Sequence, residues 1–227
     1  MISAIIPTLN ERKNISIIAK KLQELKIISE VIFVDDGSTD GTFKEIKKLK
    51  NKKKFKGFLR KTNISDLSKS VIYGVTKARN NNILVLDCDL QHDTKYIYKM
   101  WRKLSKKNCE MVIGSRFKKK NFSGNLGILR SFVSNFAIFI INLIFGKKTS
   151  DPLSGFFLCK KYLILKYSEK FFNKGYKILF DILFNGKENF VIYDQNIVFK
   201  KRYFEKSKFN TKIIWIFVRQ MFYTKFL

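Results

Sequence analysis

The sequence predicts an α/β protein with a doubly wound, mainly parallel sheet and amphipathic helices toward the C-terminus. Short apolar runs alternate along the first half with segments whose apolar residues recur at helical spacing. Runs such as VIFV and ILVL are apolar at every position, as strands covered on both faces must be. Strands that alternate with helices indicate βαβ units, whose strands pair in parallel.

The individual elements follow from the same patterns. Apolar runs place strands at 2–6, 31–34, 55–59, 83–86 and 111–113. Helices are predicted between them at 15–25, from 42 to about 50, at 68–79 and at 96–104. After residue 120 the alternation fades into one or two very hydrophobic helices over 126–145, the loop DPLSGF (151–156), a helix near 176–184 and a strand near 191–199. We predict one domain over 1–210, with interface helices at 126–146, and a basic aromatic tail over 211–227.

The charge of the chain limits the classes of partner that it favours. It holds 46 Lys and Arg against 18 Asp and Glu, a formal charge of +28, which favours nucleic acid, anionic lipid or phosphorylated substrates. Three separated cysteines and one histidine exclude a disulfide framework and a His-rich metal site, and they suit a cytosolic protein. No signal peptide is visible, and the longest apolar stretch, 136–145, is short of the roughly 20 residues of a spanning helix.

Polar clusters follow several predicted strands. Asn10 and Glu11 come after the first, the Asp35–Asp36 pair after the second, and the Asp87–Asp89 pair after the fourth. Ligands of open α/β sheets bind beyond the carboxyl ends of the strands. We therefore expect these side chains to meet at one edge of the sheet.

The run LDCDLQHD (86–93) suggests a metal site. Asp87 and Asp89 are two residues apart, so an extended backbone turns both carboxylates to one side, and Gln91 adds an amide oxygen. Such oxygen ligands suit Mg²⁺ or Mn²⁺ completed by substrate phosphate and water. The alternative is a turn in which Asp93 caps the next helix.

Two further clusters leave more than one interpretation open. In VDDGSTDGT (34–42) a carboxylate could accept hydrogen bonds from a ribose or a base, but turn chemistry alone explains Ser38 and Asp40. In so basic a chain a single arginine is more often solvated surface than a ligand, but Arg116 closes an apolar strand, so we expect it on the same edge as the acids. Arginine suits bidentate phosphate binding.

Together the motifs resemble those of dolichol-phosphate mannosyltransferases and bacterial polyprenyl-phosphate relatives, which are inverting glycosyltransferases of the Rossmann-like GT-A fold. The resemblance covers about residues 1–210 and rests on PTLNE (7–11), VDDGSTDGT (34–42), DCDLQH (87–92), GSRF (114–117), DPLSGF (151–156) and RYFEKSK (202–208). It implies metal ligands at Asp87, Asp89 and Gln91, and catalytic roles for Asp89, Arg116 and Arg202. The implied nucleotide-sugar site comprises Pro7, Leu9, Glu11, Val34, Asp36, Asp87, Cys88, Asp89, Arg116, Arg202 and Lys208.

The implied reaction moves a sugar, mannose from GDP-mannose in the first instance, onto a polyprenyl or dolichyl phosphate with Mg²⁺ or Mn²⁺. The implied location is the cytoplasmic face of a membrane, on an anionic surface or on a membrane-anchored partner protein. Two departures concern the donor: Leu9 replaces a tyrosine, and Asp66–Leu67–Ser68 replaces a GLG-type turn. Because of these departures two alternatives stay open: another donor, such as UDP-glucose, and a catalytically inactive protein of the same fold. A nucleic-acid-binding protein is favoured by charge alone, and we expect no nucleic-acid partner.

Overall fold

The computed structural model describes residues 1–49, 53–60, 65–106, 108–116, 128–172, 177–186, 190–200 and 211–226, and within them all side chains but those of 128–132 and 211–213. In these ranges seven strands form one sheet in the order β3-β2-β1-β4-β6-β5-β7. The strands are β1 Ile2–Thr8, β2 Ile28–Asp35, β3 Phe55–Leu59, β4 Asn82–Val85, β5 Met111–Ser115, β6 Phe157–Lys160 and β7 Ile192–Asn196. The predicted doubly wound, mainly parallel sheet is confirmed.

Helices cover both faces of this sheet. They are α1 Arg12–Gln23, α2 Thr42–Lys48, α3 Leu67–Thr76, α4 Lys95–Lys106, α5 Ile128–Phe145, α6 Lys161–Leu165, α7 Ile178–Asn185 and α8 Thr211–Phe226, with a 3₁₀ turn at Ser168–Lys170. Alternate side chains of β1 point to opposite faces: Ala4 and Ile6 pack under α1, α2 and α4, and Ile5 packs under α3, α6 and α7. None of the helices in the described ranges combines the length and the apolar character needed to cross a membrane.

The strand β6 is absent from the sequence prediction and changes the order of the sheet. It lies between β4 and β5 and is antiparallel to both. Its residues Phe157, Leu158 and Cys159 are fully buried, and a four-residue apolar run has no periodicity that identifies it as a strand. Because β6 runs in reverse, β5 is parallel to β4, and both strands end at the same edge.

Helix α3 is shorter than the predicted 68–79. Asp66 is its N-cap and accepts a hydrogen bond from the Lys69 N–H at 3.1 Å. Past its C-terminus, the Asn80 amide donates to the Ser3 and Ser29 hydroxyls at 2.9 Å each. These side-chain bonds hold residue 80 to the sheet, so the helix ends at Thr76.

The C-terminal third adds a second apolar layer. The hydrophobic segment forms one helix, α5, whose Ile138 and Ile141 pack with Phe180 of α7. The segment predicted as a tail forms α8, which joins the same cluster through Phe217 and Met221. Residues 211–226 therefore pack on the body of the protein as a helix.

Gly74 allows α3 to lie flat on the sheet. A Cβ at this position would come within 2.6 Å of the Ile5 Cγ2 and 3.1 Å of the Val34 Cγ2. Both neighbours are β-branched and fully buried, so they have little freedom to move aside.

We predict that Gly74→Ala lowers the free energy of unfolding by about 1–3 kcal/mol, the usual cost of overpacking a core. The helix propensity of alanine favours the opposite sign, so the direction of the change isolates the packing effect. Chemical denaturation measures it, with the exposed Lys69→Ala of the same helix as control. A Gly74→Ala protein as stable as wild type would contradict the close approach.

Candidate active site

The carboxyl ends of the strands bring three acidic clusters to one edge of the sheet. β1 pairs in parallel with β2 and β4, so the loops after Thr8, Asp35 and Val85 leave the sheet side by side. Arg116 follows β5 at the same edge. Burial acts to lower the pKa of its guanidinium, but Asp151 raises that pKa, and Asp87 and Asp89 contribute in the same direction to a smaller extent. The predicted convergence of the acids with Arg116 is confirmed.

The loops after β1 and β2 are held together by hydrogen bonds. The Asn10 N–H donates to the Ser38 hydroxyl at 2.8 Å, and the Asn10 carbonyl oxygen of the side chain accepts from the Thr39 N–H at 2.9 Å. The Glu11 N–H donates to the Thr42 hydroxyl at 2.8 Å. The PTLNE and DDGSTDGT motifs therefore form one rigid frame.

Turn chemistry accounts for Asp40 and Asp35. Asp40 accepts from the Thr42 N–H at 2.9 Å. Burial acts to raise the pKa of Asp40, but its hydrogen bonds hold that pKa below the ordinary value. Asp35 is fully buried, and its Oδ1 accepts from the N–H and hydroxyl of Ser38 at 3.0 and 2.6 Å. Its Oδ2 has no hydrogen-bond partner among the described residues. The structural interpretation of Ser38 and Asp40 is confirmed.

Asp36, which the resemblance assigns to the nucleotide pocket, belongs to a buried ionic unit. Its carboxylate pairs with Arg60 and accepts from the Asp66 N–H. Burial raises the pKa of Asp36, and these two partners offset only part of that rise. Arg60 also donates to the Asp66 carbonyl at 3.0 Å and to the Ser70 hydroxyl at 2.8 Å. The altered turn at 66–68 is thus the N-cap of α3 and a neighbour of Asp36; Arg60 was not foreseen from the sequence.

The loop after β4 holds the predicted metal ligands. The Asp89 Oδ1 accepts from the Gln91 N–H at 3.1 Å across Leu90, whose φ of 63° is left-handed and uncommon for a bulky residue. Gln91 pairs with Lys200 through N–H···O bonds of 2.9 and 3.1 Å, so the chain after β7 crosses this loop. Asp93 accepts from the Lys95 N–H at 3.1 Å, which confirms it as a cap of α4.

Asp87 is the more accessible carboxylate, with 34% of its side chain exposed, and it faces His92. The His92 Nε2 lies 3.6 Å from the Asp87 Oδ2, and its ring is 5.1 Å from the rings of both Phe156 and Phe199. Burial acts to raise the pKa of Asp87, but His92, with Lys177 and Arg116, more than offsets it and lowers that pKa. No role for His92 beyond its place in the DCDLQH motif was predicted from the sequence.

Arg116 is clamped by Asp151 of the DPLSGF loop. Its Nε and Nη2 donate to the two carboxylate oxygens at 2.7 and 2.8 Å, and Asp151 is fully buried. In the same loop, Gly155 lies against the carboxylate of Asp87: a Cβ at position 155 would lie 2.2 Å from the Asp87 Oδ2. One loop thus shapes the surroundings of both Arg116 and Asp87.

Asp194 of β7 anchors the start of that loop. Its carboxylate accepts from the Ser150 N–H at 2.9 Å and from the Thr149 hydroxyl at 2.5 Å. The Ser150 hydroxyl lies 2.7 Å from that of Ser115 at the end of β5. Asp194 lies in a strand predicted from its apolar run, and nothing local in the sequence indicates these contacts.

The remaining predicted site residues divide into three groups. The side chains of Pro7 and Val34 are buried in the sheet, that of Cys88 is buried in the loop after β4, and Leu9 is half-buried at the sheet edge. Glu11 is buried and accepts from the Asn14 amide at 2.7 Å. Arg202 and Lys208 lie outside the described residues. Among the described residues no group of three or more His, Cys, Asp or Glu side chains is arranged to hold a metal.

Comparison with known proteins identifies the class. The fold is that of the GT-A glycosyltransferases: glucosyl-3-phosphoglycerate synthase from Mycobacterium tuberculosis, solved with Mn²⁺, UDP-glucose and phosphoglyceric acid, superposes with a TM-score of 0.72 at 16% identity over 99% of this chain and 78% of that one. The family model of glycosyl transferase family 2 matches residues 3–168, and the chain belongs to that family.

Curated relatives carry one activity name. Dolichol-phosphate mannosyltransferase from Pyrococcus furiosus is 33% identical over 97% of this chain, and the enzymes of that name from Saccharomyces cerevisiae and Mycosarcoma maydis are 29% and 24% identical over 80% and 96% of it. The chain spans 62% of the length of the Pyrococcus relative, and 69% and 77% of the other two.

We predict that Asp151→Asn lowers the free energy of unfolding by about 3 kcal/mol, because it leaves the buried Arg116 charge without its carboxylate. Urea denaturation measures the loss. Glu45→Gln is the control, since it removes the partner of an exposed lysine, Lys48, and should leave the midpoint unchanged. Equal shifts in the two variants would show that the Arg116–Asp151 pair behaves like a surface pair.

Proposed function

We propose that this chain transfers a sugar from a nucleoside diphosphate to a polyprenyl or dolichyl phosphate. The observation that carries the proposal is the meeting of Asp87, Asp89 and Arg116 at the carboxyl edge of a GT-A sheet. The family and the activity shared by the named relatives support it. A binding protein for nucleic acid would not need carboxylates at that edge.

The donor set fits a divalent cation. Asp87 and Asp89 lie on one short loop, where a third of the Asp87 side chain is exposed and Asp89 is buried. Because glycine has no side chain, Gly155 leaves room for the Asp87 oxygens. We propose that these two residues, with Gln91, hold Mg²⁺ or Mn²⁺ together with the donor diphosphate. Such an ion, when bound, offsets the negative charge that develops on the leaving nucleoside diphosphate.

The protein's own residues supply orientation and charge. The Asp151 clamp fixes the Arg116 guanidinium beside the carboxylates, where it adds positive charge in a buried setting. A lipid phosphate is already anionic at neutral pH, so attack at the anomeric carbon with inversion needs no strong general base. We further propose that Arg202 and Lys208 contact the phosphates, since the chain reaches them directly after Lys200 has paired with Gln91.

The names of the relatives favour mannose from GDP-mannose as donor, and UDP-glucose is the competing candidate. The unit formed by Asp36, Arg60 and Asp66 includes the first residue of the turn that departs from the family pattern. Leu9, half-buried at the same edge, offers an apolar contact in place of an aromatic one. An assay of transfer must therefore compare both donors.

We predict that Asp89→Asn reduces transfer at least about a hundredfold while the fold is retained, because the substitution is isosteric but removes a charged metal ligand. The assay incubates the protein with radiolabelled GDP-mannose or UDP-glucose, Mn²⁺ and polyprenyl phosphate, and measures organic-extractable label. Circular dichroism checks the fold.

A chelator should abolish wild-type transfer, and Mg²⁺ or Mn²⁺ should restore it. Full activity in excess chelator would contradict the metal site. Retention on DNA without any transfer would instead support a polyanion-binding protein.

A membrane surface is the location we propose for this reaction. Helices α5 and α8 pack against one apolar cluster and expose large side chains away from it, among them Phe139 and Leu143 at 62% and 72%, and Trp215 and Phe226 at 70% and 82%. On α8 the exposed Arg219 and Lys225 accompany these aromatic residues. Aromatic and basic side chains suit the headgroup layer of an anionic bilayer. We propose the cytoplasmic leaflet; a membrane-anchored partner protein is the competing occupant.

We predict that flotation with anionic liposomes captures the protein, more weakly at high salt because screening reduces the attraction of the basic residues. The double variant Trp215→Ala/Phe226→Ala should weaken capture about tenfold or more, since two aromatic side chains no longer enter the bilayer. The control is Tyr98→Ala, which removes an aromatic side chain 54% exposed on α4. Wild-type protein that ignores anionic vesicles at low salt would shift the proposal to a partner protein.

A further inference from the structure

Lys177 lies at the active-site edge although no motif predicted it there. It directly precedes α7 as the N-cap residue, and its Nζ donates to the Leu153 carbonyl at 3.2 Å. Leu153 stands between Asp151, which clamps Arg116, and Gly155, which abuts Asp87. The ammonium therefore sits on the loop that shapes the proposed metal and phosphate site.

Lys177 contacts the loop that borders both Arg116 and Asp87. Leu153, whose carbonyl accepts from the Lys177 Nζ, is two residues from Asp151, the partner of Arg116, and two residues from Gly155, which lies against Asp87. Arg116 donates both arms of its fork to a carboxylate, whereas the Leu153 oxygen that Lys177 contacts is a neutral carbonyl. The lysine ammonium has three donors on a flexible stem, so it can contact a carbonyl and a phosphate oxygen together.

The backbone of Lys177 is fixed by the C-terminal helix. Its carbonyl accepts from the Phe180 N–H at 3.0 Å, within the first turn of α7, and from the Gln220 amide of α8 at 3.2 Å. Gln220 is 1% exposed. It borders Asp181, whose pKa is raised to about 7 by burial and which accepts from the Asn185 amide at 3.0 Å. These buried polar contacts fix the position of α8 against α7.

We infer that Lys177 binds a phosphate oxygen in the active site and that Gln220 is its positioning residue, so that the seating of α8 bears on phosphate binding. Lysine binds phosphate as a point charge, and a diphosphate that approaches Asp87 and Asp89 needs positive charge beside them. The inference rests on the proposed function. The phosphate belongs either to the donor diphosphate or to the acceptor lipid.

The test measures binding, so it does not depend on turnover. Calorimetry compares wild type, Lys177→Gln and Lys161→Gln for GDP and for UDP, each with Mn²⁺, as the donor arm, and for farnesyl phosphate as the acceptor arm. Lys161 is the matched control: it too is half-buried and donates to a backbone carbonyl, that of Ala78, at 2.7 Å. It lies at the opposite edge of the sheet, where β4 begins.

Lys177→Gln should weaken binding about tenfold or more in one arm, the scale of a lost charge-assisted hydrogen bond, and that arm identifies the phosphate. Lys161→Gln should stay within about twofold. Lys177→Arg should recover part of the affinity. If Lys177→Gln matches wild type in both arms, the inference is wrong.

A double-mutant cycle tests the role of Gln220. Gln220→Ala should weaken binding in the same arm as Lys177→Gln, and it should have no further effect in the Lys177→Gln background. Equal effects in both backgrounds would show that Gln220 acts only on stability. A wild type that binds in both arms but transfers no sugar would overturn the proposed function and leave Lys177 as a phosphate ligand; one that binds in neither arm would overturn both.

Discussion

The buried bidentate pair of Arg116 with Asp151 is the constraint on which the active-site edge depends. Two charges removed from water are tolerated only when they are closely paired, and the Asp151 side chain has no exposure at all. The pair ties the end of β5 to the loop that leads into β6. That loop then sets Gly155 against Asp87 and Leu153 beneath Lys177.

Much of the polar chemistry at this edge is committed to holding loops in place. Asp35 closes the turn at Ser38, Asp36 is neutralised by Arg60, and Asp194 anchors Ser150. Asp87 differs because a third of its side chain is exposed and its neighbours are cationic. In a chain of +28, net charge alone attracts any polyanion, so the proposed binding of phosphates depends on the arrangement of carboxylates and cations at this edge.

The periodic and local features of the fold could be predicted from the sequence. The runs at Val31 and Ile83 predicted two central strands, and Asp93 was foreseen as a cap of the helix after the fourth strand. Motifs after strands also predicted that Arg116 would meet the acids, because parallel strands end at one edge. The roles of Arg202 and Lys208, which follow Lys200 in the sequence, stay predictions, as does the domain boundary at residue 210.

The sequence by itself determined the class of fold, the edge on which the candidate site residues meet and the chemistry of those residues, because these follow from periodicity and from residue type. Only the tertiary structure decided the reversal of β6, the pairing of Asp36 with Arg60, the contact of His92 with Asp87 and the place of Lys177. Each of these depends on which strands pair or on how loops pack beyond the strand ends. Neither leaves a periodic pattern in the sequence, even for Asp87 and His92, which are only five residues apart.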